Sequence, residues 1–265
     1  MSSVGRSSRD GAPMLAISIV SHGHANHVRA LLRDLDRHCR TPLEVILTAN
    51  TNNDLDLQRA TLSHRLHVVV NDSPKGFGAN HNSAFRQSAA PHFCVLNPDV
   101  RIHRDPWPEL VNALADESIG VVAPLVTDAA GGVQQSFRRV MTPLVLVRRA
   151  IGRGNRIEYS PRRHIYPEWV AGMCMLFRRQ VFSSIGGFDE RYFLYCEDMD
   201  ICCRLSLAGY KACVAGEVQI VHEGQYGSRH NLRHLAMHLH SLLLFYRSDA
   251  YRTWLKQRRE KGSGR

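Results

Sequence analysis

Through the first half of the chain, short apolar runs rich in β-branched residues alternate with stretches whose apolar side chains recur at helical spacing. The runs are Leu15–Val20, Leu43–Thr48, His67–Val70, Phe93–Leu96 and Gly120–Ala123. Between the first two, Val28, Leu31, Leu32 and Leu35 keep one helical face. Asp105 followed by Pro106 reads as an N-cap and first-turn pair for a helix carrying Leu110 and Leu114. Strands and helices in this order predict βαβ units, hence an α/β fold on a mostly parallel, Rossmann-like central sheet flanked by helices. Ligands of such sheets bind beyond the carboxyl ends of the strands. That rule singles out Ser21–His24, Asn50–Asp54 and Asn97–Asp99.

Beyond residue 125 the pattern changes. The stretch from Gly131 to Pro167 is rich in Arg and Gly with weak periodicity and reads as an excursion over the site. Trp169–Phe177 reads as one buried strand, Ser183–Arg191 as a glycine-containing turn, and Glu197–Ala208 as a helix stopped by Gly209, with Asp200 and Arg204 spaced to pair across one turn. Residues 230–260 carry Leu235, Leu239, Leu242 and Leu243 on one side of one or two terminal helices. The expected division is a disordered leader at 1–13, a folded domain at 14–229 with halves meeting near 124, and C-terminal helices with a basic tail at 230–265.

Composition narrows the class. With 265 residues, 44% of them hydrophobic, the chain can bury one sizeable core. The first 13 residues are small and polar and resemble no secretory signal. No run approaches the roughly 20 apolar residues of a membrane span. Seven cysteines form no Cys-x-x-Cys pair, and adjacent Cys202 and Cys203 suit neither a zinc knuckle nor an ordinary disulfide. A reducing cytoplasm is the simpler expectation, with a peripheral place at the membrane face as its variant. The net charge of +10 favours an anionic partner, and basic residues gather at 137–163 and from Arg252 to Lys261.

Two segments carry chemistry. The strand Phe93–Leu96 runs into Asn97-Pro98-Asp99, which sets a carboxylate at the sheet's lip, where Mg²⁺ or Mn²⁺ could meet a diphosphate. The triplet is also good turn chemistry. Further on, Gly187-Phe188-Asp189-Glu190 and Tyr195-Cys196-Glu197-Asp198-Met199-Asp200 interleave acids with aromatics. Glu197 and Asp198 would sit in a first helical turn, where the macrodipole favours ionised carboxylates. One of them could serve as a general base, or merely cap the helix.

The order of these segments resembles family 2 glycosyltransferases, especially the bacterial rhamnosyltransferase-like group, over about Leu15 to Tyr246. Besides the segments above, the resemblance rests on Lys75-Gly76-Phe77-Gly78-Ala79-Asn80, Trp169-Val170-Ala171-Gly172 and His222. It implies a GT-A fold and an inverting single displacement. The expected donor is a nucleotide-sugar, dTDP-rhamnose first, and the expected acceptor a saccharide or lipid-linked saccharide of cell-surface polysaccharide synthesis. By the same resemblance Asp99 and His222, the latter followed by Gly227 and Ser228, would hold Mn²⁺ or Mg²⁺. Asp198 would be the acceptor-side base, with Glu197 and Asp200 as acidic neighbours. Ser21, Asn50, Asp54, Lys75, Gly76, Gly78, Asn80, Asn97 and Gly172 would lie on the donor side.

Two departures stand out. Ala49 replaces the aspartate that many members carry at the end of strand two, leaving the base contact missing or passed to Asn50 or Asp54. Asn97 leaves a single acid in the metal element, a form the rhamnosyltransferase-like group shares. Two other classes remain beside this one: a nucleotidyltransferase, which would consume a nucleoside triphosphate, and a nucleic-acid-binding protein, for which no recognised module is present. The leucine-rich and basic C-terminus could pack on the domain or lie on an anionic membrane, with Leu242–Tyr246 and the basic residues after it as the contact.

Overall fold

The computed structural model describes residues 13–150, 163–223 and 232–263. Residues 1–12 of the expected leader, part of the arginine cluster (Arg153, Arg156, Arg162) and the Gly227–Ser228 pair lie outside them. The first half follows the expected winding: β1 (Leu15–Ser21), α1 (Ala25–His38), β2 (Leu43–Ala49), β3 (Arg65–Val70), α2 (Phe77–Arg86) and β4 (His92–Leu96). The strands β3, β2, β1 and β4 pair in that order and in parallel, with Leu15 opposite Leu43 on one side and His92 on the other. Alternation then divides β1. Leu15, Ile17 and Ile19 enter one core with Val28, Leu31 and Leu35 of α1, and Ala16 enters the other with Ala84 of α2. Burial on both faces explains why the strand is a continuous apolar run.

The second half departs from parallel pairing. It comprises β5 (Val100–Arg101), α3 (Trp107–Ala113), β6 (Ile119–Thr127), β7 (Phe137–Arg138), α4 (Pro143–Ala150), β8 (His164–Ile165), β9 (Trp169–Val170) and β10 (Cys174–Arg178). It ends with α5 (Arg179–Ser184), α6 (Glu197–Leu207), β11 (Lys211–His222), α7 (Leu232–Arg247) and α8 (Asp249–Ser263). The sheet continues β4-β10-β6-β11-β5, with β10 antiparallel to both its neighbours and β11 parallel to β6. The expected strand Trp169–Phe177 is in fact two. Its first residues pair with β7 in a separate ribbon, and Ala171–Met173 turns the chain before β10 joins the main sheet. The expected excursion holds short structure as well, in β7, α4 and β8. Helix α3 starts at Trp107, one residue later than expected. Pro106 takes the N-cap place expected of Asp105, which sits one residue before it and accepts from the Trp107 amide at 3.1 Å, while its other oxygen takes the Arg40 and Thr41 amides at 2.7 and 3.0 Å.

At the C-terminus α8 packs on α6 and buries Tyr251 and Trp254, and Arg258 pairs with Glu168 at 2.7 Å. The terminal helices therefore brace the element that carries Glu197 and Asp198.

Candidate active site

A cleft of about 970 Å³ opens beyond the carboxyl ends of β1 and β4. Its lip is built from side chains that bind one another. Asp54, fully buried, accepts from the Ser21 hydroxyl at 2.6 Å, the Gly23 amide at 2.8 Å and the Thr51 hydroxyl at 2.8 Å. Burial works to raise its pKa, but these three donors outweigh it and hold the carboxyl below its ordinary range. Ser21 and Asp54 thus staple the β1 and β2 ends together, and neither lines the cleft where the donor-side expectation placed them. Asn50 does line it, but its amide is spent inside the protein. The nitrogen donates to Lys75 O at 3.0 Å and the oxygen accepts from Lys75 N at 2.9 Å and Asn71 at 2.8 Å. Asn71 also donates to Asn80 at 2.7 Å, and Asn80 donates to Lys75 O and Gly76 O. Three asparagines thereby fix the backbone of the Lys75 loop, leaving the Lys75 side chain exposed at the cleft.

The glycines of that loop serve a purpose other than the expected approach of a nucleotide. A Cβ at Gly76 would come within 2.9 Å of Phe193 Cα and Phe193 O, and one at Gly78 within 2.7 Å of Phe188 Cβ. Neither glycine lines the cleft. They let α2 close against the acidic loop, with Phe77 N donating to Phe193 O at 2.8 Å. Gly76→Ala should therefore destabilise by roughly 1–3 kcal/mol, the usual cost of overpacking. Thermal unfolding checks this, since an unshifted midpoint would show that the two backbones can part freely.

Asp99 and His222 are brought together by strand register. Immediately after Asp99's turn, β5 pairs antiparallel with the end of β11, His222 opposite Val100, and Glu223 N donates to Asp99 O at 2.9 Å. Arg101 ties the same strand to α1 through a two-point pair with Asp34 at 2.6 and 2.9 Å. The His222 ring is oriented by Gln134, whose nitrogen donates to His222 O at 3.1 Å and whose oxygen faces Nδ1 at 2.9 Å. Nδ1 is thus the protonated nitrogen, and Nε2 faces Asp99 Oδ2 at 3.2 Å. The second oxygen, Asp99 Oδ1, is buried with no hydrogen-bond partner. An imidazole lone pair facing a carboxylate with an orphaned oxygen is satisfied by a proton or by a cation, so these residues fit a divalent metal. Among the described residues no group of three or more His, Cys, Asp or Glu is placed to hold a metal ion by itself. Two protein ligands, with phosphate oxygens supplying others, is the usual arrangement for Mg²⁺ or Mn²⁺ at a diphosphate. Burial pushes the Asp99 pKa up, but a proton carried on Nε2 as well as Nδ1 lets His222 donate a hydrogen bond and face the carboxylate as a cation, which more than offsets burial and holds the carboxyl below its ordinary value.

Across the cleft stand the acids of α6. The helix starts from two consecutive non-glycine residues in the left-handed region, Tyr195 at φ 75° and Cys196 at φ 68°. Such geometry costs on the order of 1–3 kcal/mol per residue and persists where surrounding packing over-determines it. Asp198 lines the cleft, accepting from the Met199 amide at 2.8 Å and the Gly172 amide at 3.4 Å. Here burial overrides the macrodipole: it pushes the Asp198 carboxyl up against the pull of those amides. Glu197 is raised too, by burial and then by the neighbouring Asp198 charge, and its Oε2 has no partner. Asp200 points elsewhere. It makes the expected pair with Arg204 at 2.7 Å, and Arg204 in turn holds the Ile185 and Gly187 carbonyls.

The sequence missed a wall and a floor. Helix α7 closes one side with Arg233, His234, Met237 and His238, and its His234 Nδ1 meets the Tyr195 hydroxyl at 2.9 Å. His81 lies on the floor, Nδ1 against Ser18 Oγ at 2.8 Å and buried Nε2 without a partner. Burial pushes its pKa down to about 3, so the ring is neutral. One signal was present: a histidine inside an otherwise small, polar stretch of α2.

Comparison with known proteins gives this cleft its family. The model described as Glycosyl transferase family group 2 matches residues 92–264, which hold Asp99, Asp198 and His222. The chain belongs to that family. An N-acetylglucosaminyl-diphospho-decaprenol L-rhamnosyltransferase of Mycobacterium tuberculosis is 28% identical over 91% of this chain and 86% of its own length. The rhamnosyltransferase WbbL of Escherichia coli is 27% identical over 82% and 86%. Among solved structures, a mannosyltransferase from Pyrobaculum calidifontis in complex with GDP-Man and Mn²⁺ superposes with a TM-score of 0.63 at 18% identity. The match covers 87% of this chain and 63% of that longer one. The chain is thus a family 2 glycosyltransferase with a GT-A fold, similar to rhamnosyltransferases.

Proposed function

We propose that the protein transfers a sugar, rhamnose from dTDP-rhamnose as first candidate, to a saccharide carried on a lipid diphosphate, with inversion at the anomeric carbon. What supports this most is that one cleft holds two acids prepared in opposite ways. Asp99 is held ionised beside an imidazole with one oxygen unpartnered, and Asp198 is held with a raised affinity for a proton. The names of the similar rhamnosyltransferases support the sugar and the lipid-linked acceptor.

Asp99 and His222 would hold Mn²⁺ or Mg²⁺, which when bound supplies positive charge to the diphosphate as it departs. Asn97 and Lys75 lie along the donor side of the cleft. Asp198 removes the proton of the acceptor hydroxyl as its oxygen attacks the anomeric carbon from the face opposite the leaving group. Glu197 and Asp198 are buried neighbours whose carboxyls are both pushed up and titrate as a pair, so a proton taken up by one favours the ionised form of the other. Gly172 N and Met199 N hold the Asp198 carboxylate in one orientation.

A pH dependence follows. The active form of Asp198 is ionised and its pKa is raised, so kcat should fall on acidification well above the ordinary aspartate value of about 4. A pH–rate profile whose acid limb lies at or below that value would contradict the assignment. The reading as a whole is tested by a panel of nucleotide-sugars with Mn²⁺ and a lipid-diphosphate saccharide, scored by nucleoside diphosphate release. Release from dTDP-rhamnose above all others is expected. Release from none, or consumption of a nucleoside triphosphate instead, overturns it.

A further inference from the structure

Helix α7 is amphipathic the wrong way round for a helix at a protein surface. Arg233, His234 and His238 line the cleft, and Phe245 is fully buried. The opposite face carries leucines into solvent: Leu232 is 82% exposed, Leu235 56%, Leu239 53% and Leu243 56%. These positions repeat every three or four residues and form one continuous stripe. The stripe is not the expected Leu242–Tyr246 run, in which Leu242, Leu244 and Tyr246 pack against the core around Phe245. At the C-terminal end of α7, the Tyr246 hydroxyl donates to Met141 O at 2.8 Å, just before α4, whose Leu144 and Val147 are 61% and 59% exposed. Singly exposed apolar residues need no explanation, but four in one stripe, with two more on the helix that follows Met141, do.

Charge identifies the occupant. Neither α4 nor α7 contains an acidic residue, Arg247 is exposed at the end of the stripe, and Arg252 and Lys256 follow exposed on α8, whose acids are Asp249 at its start and Glu260 near its end. A leucine face followed by cations is the composition of a helix lying in the headgroup plane of an anionic bilayer. We infer that the leucine stripe of α7, extended by Leu144 and Val147, is a docking surface for an anionic phospholipid bilayer. The same helix walls the cleft with its other face, so docking would set the Asp198 side of the cleft at the lipid surface. This purpose rests on the proposed lipid-linked acceptor, whereas docking itself does not.

Flotation of the full chain with vesicles of phosphatidylglycerol and phosphatidylcholine, against phosphatidylcholine alone, is the test. The chain should float with the anionic vesicles. A Leu235→Ser, Leu239→Ser, Leu243→Ser variant should lose tenfold or more of that binding. Arg247→Gln with Lys256→Gln should weaken it and flatten its fall with salt. Both variants alter exposed positions, and an unchanged unfolding midpoint and unchanged Mn²⁺-dependent nucleoside diphosphate binding show that they fold. A leucine variant that floats like the parent overturns the inference, as does a parent that stays with the vesicle-free fraction. So does a leucine variant that loses only self-association, which would assign the stripe to a second copy. Absence of nucleotide binding in a chain that still floats would count against the proposed activity and leave the surface standing.

Discussion

Replacing Asp198 by asparagine is expected to lower kcat a hundredfold or more, the usual worth of a positioned base, without lowering the unfolding temperature. The two results are linked through one pKa. Because the folded chain raises the Asp198 carboxyl, the folded state binds that proton more tightly than the unfolded state does. Above the unfolded pKa, ionising the group therefore costs folding free energy, and the cost is fully present once the pH exceeds the folded pKa. Asparagine carries no charge to desolvate and keeps an oxygen for the Met199 or Gly172 amide. The variant should unfold at the parent temperature or above it at neutral pH. Turnover within about threefold of the parent would remove Asp198 from the role of base, and lost turnover with a lower unfolding temperature would make it a structural residue.

Asp99→Asn should be at least as severe, by roughly a hundredfold to a thousandfold, as for removal of one electrostatic group at a leaving atom. Asn97 offers no second carboxylate in the element, and the ionisable group that faces Asp99 is His222 at 3.2 Å. The variant should also flatten the dependence of rate on Mn²⁺ concentration. His222→Gln should do less, because Asp99 keeps its charge. A full Mn²⁺ response in Asp99→Asn would place the metal elsewhere.

Much of the fold was legible because burial writes directly into sequence. Strands covered on both faces, such as Leu15–Val20, are continuous apolar runs, and α1 shows its core face at Val28, Leu31 and Leu35. The same logic misled at Trp169–Phe177, where an unbroken apolar run conceals the turn at Ala171–Met173: hydrophobicity alone does not say which sheet a residue enters. Asp198 was legible as a member of an acidic, aromatic stretch. The pairing of Asp99 with His222 was not readable from spacing, since it depends on the register of a two-residue strand against β11. Gly76 and Gly78 were noticed for a reason the packing does not support. The atoms that demand glycine belong to Phe193 and Phe188, more than a hundred residues on. Asn71 and Gln134 carried no pattern of their own, and each acquires its role only from a partner distant in sequence. In α7 the leucine spacing was visible, but not that Arg233, His234 and His238 line the cleft.

The separation of a leaving-group end from a base end within one cleft is tested most directly by calorimetric titration of a nucleoside diphosphate in the presence of Mn²⁺. The parent chain, Asp99→Asn and Asp198→Asn would be compared. The expected result is Mn²⁺-dependent binding to the parent and to Asp198→Asn with similar affinity, and loss of the Mn²⁺-dependent part in Asp99→Asn. Equal binding by the parent and Asp99→Asn, or loss of binding in Asp198→Asn alone, would contradict it.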